Sequence, residues 1–191
     1  MQKFESIQPW LSTPKPSFLS IQKRWLMRQG PLTQALRELG TLKLRVLAEY
    51  AAGVGRDEAH CLKTVAPSPI WVREVVMSID GMQVVAARSV TPLRASHGVW
   101  QGMRRLRSRP LADILYDDAA ISRSNFEVAR LNKQTALFRT VQSAQADASQ
   151  GKHQHLALLA RRSVFWRQET PLLVAECFLP AFWSLCQKPT A

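Results

Sequence analysis

Two arginines and a glutamate stand in this chain where an extended segment has no structural use for charge. Arg73 and Arg88 sit in opposite arms of a stretch from Trp71 to Arg88, rich in apolar and β-branched residues and broken by Asp80-Gly81. That dipeptide tolerates the positive φ of a tight type I′ turn, so the stretch is predicted to be a β-hairpin. A two-residue loop pairs Ile79 with Met82, Met77 with Val84 and Val75 with Ala86, and it sets Arg73 opposite Arg88. Two guanidinium groups side by side repel unless something negative lies between them. Either they splay into solvent or pair with separate carboxylates, or they mark an anion site. In the second case Arg73, on one face with Trp71, Val75 and Met77, projects into an apolar pocket and grips a carboxylate or phosphate through its planar fork.

The glutamate is Glu176. Leu172, Val174, Glu176 and Phe178 alternate along one face of a predicted strand, so a carboxylate is inserted into an apolar row. Such a group must find a partner or stay protonated. A structural arginine or a solvated face satisfies it; a functional site would use it as an acid or as an acceptor for a substrate hydroxyl. Pro31-Leu32 and Pro110-Leu111 add a weaker signal. Each sets a proline at the expected first position of a helix, which leaves the leucine amide as the first free donor where the macrodipole favours anions.

The elements that must position these groups alternate between helical and extended patterns. Leu32, Leu36 and Leu39 recur on one helix face before Gly40, and Leu42 to Ala51 alternates as a strand. Short helices are expected over Val99–Leu106 and from Pro110 to Tyr116, with a strand over Ile121–Leu131. Thr140 to His155, rich in Gln, Ala and Ser, reads as a surface helix or insertion, and its His153 and His155 as ordinary polar residues rather than metal ligands. A second hairpin follows, with arms Arg161–Arg167 and Leu172–Leu179, a turn over Gln168–Pro171, and Pro180 halting it.

At 191 residues, 46% hydrophobic and 21% charged, the chain is long enough for one well-buried domain. Three cysteines without metal-like spacing argue against a disulfide framework and fit a reducing compartment, so a cytoplasmic location is expected. Cys177 reads as packing. The net charge of +12 raises nucleic acid or anionic lipid as a partner. Arg104, Arg105, Arg107 and Arg109 are its densest cluster, but no zinc-finger, RNA-binding or helix-turn-helix pattern accompanies them, and no nucleic-acid partner is expected.

In order and spacing, Trp71-Val72-Arg73-Glu74, Asp80-Gly81, Ala87-Arg88-Ser89-Val90-Thr91-Pro92, Pro110-Leu111 and Glu176-Cys177-Phe178-Leu179-Pro180 resemble the chorismate lyase family. The resemblance spans residues 25–182. It leaves 1–24 as an N-terminal extension, 140–155 as a surface insertion and 183–191 as a C-terminal tail. It implies a single α+β domain in which an antiparallel sheet and flanking helices enclose a ligand site. It also implies elimination of pyruvate from chorismate to give 4-hydroxybenzoate for the ubiquinone ring, with no metal or redox cofactor. The family's ligand-binding arginine falls on Arg73, its backbone contacts on Leu111 and, less securely, Leu32, and its glutamate on Glu176. Arg88 is a weaker candidate for a second carboxylate. Where Leu32 stands the family often has methionine, a change that a main-chain contact tolerates. A monomer with transient contact to a membrane or a membrane enzyme is the expected assembly.

Two other readings stay open. A noncatalytic carboxylate-binding effector domain shares this fold, but normally follows a DNA-binding domain, for which the 24 residues before the matched region are too few. A basic nucleic-acid-binding protein is the third, recognisable by salt-dependent oligonucleotide binding.

Overall fold

The computed structural model describes residues 10–146 and 157–187. A seven-stranded antiparallel sheet runs in the order β1-β2-β3-β7-β6-β4, with β5 also paired to β6. Its strands are β1 (Leu42–Gly53), β2 (Pro69–Ile79), β3 (Met82–Pro92), β4 (Ser122–Arg123), β5 (Glu127–Arg130), β6 (Leu159–Arg167) and β7 (Thr170–Phe178). Helices α1 (Ser20–Leu26), α2 (Leu32–Arg37), α3 (Arg56–Ala59), α4 (Ala112–Leu115), α5 (Ala136–Ala146) and α6 (Pro180–Cys186) cover it. The α+β expectation holds. No helix among the described residues is long and apolar enough to cross a membrane.

Asp80 and Gly81 turn the first hairpin at φ values of 48° and 84°, the left-handed conformations that a type I′ turn requires. The pairing beyond the turn departs from the simple expectation. Ser78 faces Gln83, but Met77 then faces Val85, so Val84 is an extra residue on β3. This bulge moves every later pair by one. Arg73 therefore lies opposite Ser89, Arg88 lies opposite Glu74, and the two arginines point to opposite faces of the sheet.

The second hairpin turns more tightly than expected. Gln168 and Glu169, with φ of 47° and 56°, form a two-residue loop, and Pro171 already belongs to β7 opposite Trp166. The strand expected over Ile121–Leu131 is split into β4 and β5. Between them Ser124 donates its N–H to Val164 O at 2.8 Å, and Phe126 is buried.

The segment expected as a surface insertion begins inside α5, which is amphipathic and packs on the sheet. Leu137, Thr140, Val141 and Ala144 recur at helical spacing on its buried face. Residues 147–156, with His153 and His155, lie outside the described residues. The leader is likewise no appendage: Trp10 and Phe18 are buried, and Leu11 exchanges backbone hydrogen bonds with Val128. At the other end Trp183 packs with Phe178 and Phe182 in an aromatic cluster that also holds Trp25, so the C-terminal helix belongs to the core.

Candidate active site

Residues directly opposite one another in a sheet share a face, and two adjacent rows build the floor of the site. One row reads Glu49, Arg73, Ser89, Val174 and Ser163 across β1, β2, β3, β7 and β6. The next reads Val46, Val75, Ala87, Glu176 and Arg161. The middle of the floor is small (Ser89, Ala87) and the flanks carry charge. Arg73 and Glu176 stand two strands apart, roughly 10 Å between backbones. Short central residues leave a cavity there, with about 640 Å³ of empty space when its open mouth is included. Leu32 and Thr33 from α2, Pro110 to Ala112 and Tyr116 around α4, and Phe126 close it from above.

The two arginines of this face are wired alike. Arg73, 2% exposed, donates Nε–H to Glu49 Oε1 at 3.0 Å and Nη2–H to the carbonyls of Arg107 and Arg109 at 2.6 and 3.1 Å. Arg161, also 2% exposed, donates Nε–H to Glu176 Oε2 at 2.7 Å and Nη1–H to the carbonyls of Trp25 and Arg28 at 3.3 and 2.9 Å. Among the described residues nothing accepts from Nη1 of Arg73 or Nη2 of Arg161. Each guanidinium is thus fixed on two sides and keeps one corner for a ligand. Burial lowers the Arg73 pKa from the ordinary arginine value, with Glu49 pulling against it, so a second anion at this group would relieve a real desolvation cost.

Pro31 and Pro110 sit slightly further out than expected. Pro31 is the residue before the first helical position of α2, and Pro110 precedes Leu111, which caps α4. The consequence for the leucines is unchanged. Both leucines line the cavity, and among the described residues neither N–H donates to a protein group. Arg107, at φ 52°, turns the loop so that its own carbonyl and that of Arg109 reach Arg73, tying the segment before Leu111 to the sheet.

Arg88 is not part of this site. On the opposite face it holds Glu58 through Nε and Nη2 at 2.7 and 3.1 Å, and Glu74 through Nη1 at 2.8 Å. Tyr50 and Thr140 donate to the same Glu74 oxygen, which fastens α5 to the sheet. Burial pushes the Glu58 carboxyl up despite its arginine. Burial also works against the Arg88 charge, but Glu58 and Tyr50 outweigh it and raise the Arg88 pKa. The physical reason for the correction is the Val84 bulge, which gives Arg88 the face opposite to that of Arg73.

Of the residues read from sequence, Arg73, Leu111, Glu176 and Leu32 converge on one cavity. Arg161 and Glu49 were missed. Their signal lay in the strand registers, since Arg161 is the cross-strand partner of Glu176 and Glu49 that of Arg73.

Known proteins place this geometry. Residues 7–188 match the family model described as chorismate lyase, so the leader belongs with the domain. A probable chorismate pyruvate-lyase of Bordetella pertussis is 57% identical over 182 residues, 95% of this chain and 94% of that protein. A second relative, probable chorismate pyruvate-lyase 1 of Pseudomonas entomophila, is 38% identical over 182 residues, 95% of each chain. Among solved structures, the effector domain of PhnF from Mycobacterium smegmatis superposes with a TM-score of 0.53 at 15% identity, over 80% of this chain and 90% of that one. That likeness is one of fold alone. Matched along nearly its whole length by the family model and by close relatives, the chain belongs to the chorismate lyase family.

Proposed function

We propose that the protein eliminates pyruvate from chorismate to give 4-hydroxybenzoate, the precursor of the ubiquinone ring. The observation that carries this reading is the pairing of Arg73 and Glu176 across a floor of small residues in one cavity, within a chain of this family. The substrate has a carboxylate at one end of a six-membered ring and a hydroxyl at the other, with an enolpyruvyl ether beside the hydroxyl. Arg73, with the Leu111 N–H and the Leu32 N–H, receives the ring carboxylate. Glu176 keeps Oε1 free while Oε2 is held by Arg161, and accepts a hydrogen bond from the ring hydroxyl.

The bond between ring carbon and ether oxygen breaks, and its electron pair leaves with the enolpyruvyl oxygen. The hydrogen on the neighbouring hydroxyl-bearing carbon departs as a proton, and the electrons of that bond complete the aromatic ring. The enolpyruvate takes up a proton and becomes pyruvate. Electrons balance within the substrate, and aromatisation drives the step. The protein's contribution is to hold a dianion in one orientation and to offset charge growing on the leaving oxygen.

The test is to mix the purified protein with chorismate, without added metal or nucleotide, and to follow both products. Equal amounts of 4-hydroxybenzoate and pyruvate are expected. A folded sample that binds 4-hydroxybenzoate but leaves chorismate intact would overturn the enzymatic reading in favour of a receptor.

A further inference from the structure

Where β2 begins, β3 ends and β6 turns into β7, the molecule carries a cationic surface that the cavity does not use. Three grooves adjoin there. The first holds Lys63 and Arg94 and shares Gly98 and Val99 with the second; the second shares Arg105 with the third, which residues 104–109 line. Lys63, Arg94, Arg105, Arg107 and Arg109 are all exposed, and among the described residues no carboxylate pairs with any of them. Arg167 in the second groove is the contrast, since Asp118 neutralises it at 2.9 Å. Among the described residues lining the three grooves, Glu169 is the only acid. Like charges gathered on one surface repel, and an anionic partner offsets that repulsion. An apolar feature stands beside them. The loop that supplies Lys63 also presents Val65, which is 75% exposed, and a hydrogen bond from Ser68 N–H to Val65 O at 2.8 Å closes the turn that holds it out.

We infer that this end of the protein docks on an anionic membrane surface, with the arginines and Lys63 against lipid phosphates and Val65 among the headgroups. Two features favour a bilayer over a nucleic acid. The tryptophans nearby are already covered, Trp71 by Arg104 with Cζ 3.6 Å from the ring centroid and Trp166 by Lys63 with Nζ at 4.4 Å, so neither offers a bare ring on which a base could stack. An exposed valine flanked by cations gains from the headgroup boundary of a bilayer and gains nothing from a phosphodiester backbone. The same surface is joined to the cavity. Arg107 and Arg109 give their carbonyls to Arg73, and the chain runs on into Pro110 and Leu111 of the roof, so docking brings the roof segment next to the lipid headgroups. The inference holds for a lyase and for a receptor alike, because it rests on the surface and not on the reaction.

The test is co-sedimentation of the full chain with vesicles of equal parts phosphatidylcholine and phosphatidylglycerol, and with vesicles of phosphatidylcholine alone, at about 0.1 M salt, where charges are screened beyond about 10 Å. Binding is expected to the mixed vesicles only. Removing Arg94 and Arg105 together, as Arg94→Gln with Arg105→Gln, should weaken it about thirtyfold, at about fivefold for each arginine near a charged lipid surface. Lys133→Gln with Arg139→Gln removes the same charge at α5, which packs on the Arg88 face, and should stay within about threefold of wild type. Val65→Ser should weaken binding roughly threefold, by loss of apolar contact alone. All five substituted side chains are exposed, so the variants keep the fold. Equal weakening by the two charge pairs would mean that net charge acts without a docking surface, and overturns the proposal. It is also overturned by absence of binding to the mixed vesicles, or by unchanged affinity in Val65→Ser. Tighter binding to a single-stranded oligonucleotide than to the mixed vesicles, lost on removing Arg94 and Arg105, overturns it in favour of a nucleic-acid partner.

Discussion

Replacing Arg73 with alanine separates what this side chain does for the ligand from what it does for the fold. On the ligand side, the substrate's buried ring carboxylate loses its cationic partner, and truncating such a contact costs about 2–5 kcal/mol. At about 1.4 kcal/mol per factor of ten, kcat/KM for chorismate should fall by roughly 30- to 4,000-fold. On the folding side the losses are smaller, because the groups left behind reach water. The Glu49 side chain is 27% exposed, and Arg107 and Arg109 are exposed loop residues. A destabilisation of about 1–2 kcal/mol is expected from unpairing them. The assay is pyruvate release under steady-state conditions, beside a urea unfolding curve on the same sample. Arg73→Lys keeps the charge but not the fork, and should recover only part of the loss. A folded Arg73→Ala protein with kcat/KM within about threefold of wild type would refute the placement of the ring carboxylate.

Ala87→Leu puts a branched side chain on the small floor between Arg73 and Glu176, where Ala87 lines the cavity. Binding of 4-hydroxybenzoate should be lost while the urea midpoint moves little; a variant that still binds the product would move the site elsewhere. Arg88→Met leaves Glu58 and Glu74 buried without their cation, at a cost of about 3–5 kcal/mol near neutral pH. The sign with pH follows from the raised folded-state pKa of Glu58: the folded form binds the proton more tightly, so the penalty grows as pH rises above the ordinary glutamate range and shrinks as pH falls toward it. Unfolding curves at pH 5 and pH 7 check this, and a larger loss at the lower pH would contradict it, while activity per folded molecule should stay near wild type. Burial pushes the Cys61 and Cys186 thiols up to about 11, and it raises the fully buried Cys177 as well. Disulfide-exchange reagents at pH 8 should therefore label the native protein far more slowly than the unfolded chain, and equal rates would sink the burial argument.

The chain disclosed its chemistry through local patterns and hid it wherever one residue of register decided the outcome. The apolar arms around Asp80-Gly81 made the first hairpin legible, because turn chemistry and β-branching act within a few residues. The Val84 bulge was not legible, since an extra residue on one strand is selected by packing on both faces of the finished sheet. That single residue decides whether Arg88 joins the ligand site or the Glu58-Glu74 network behind it. Glu176 was conspicuous as a carboxylate in an apolar row, but its partner depended on the second turn. A loop over Gln168–Pro171 would set Ser163 opposite Glu176; the tighter Gln168-Glu169 turn sets Arg161 there. Functional charge in this fold is therefore readable from one strand only when the strand itself supplies the anomaly. When it is supplied across strands, the register must be known first, and the register is set at the bulges and turns rather than at the charges.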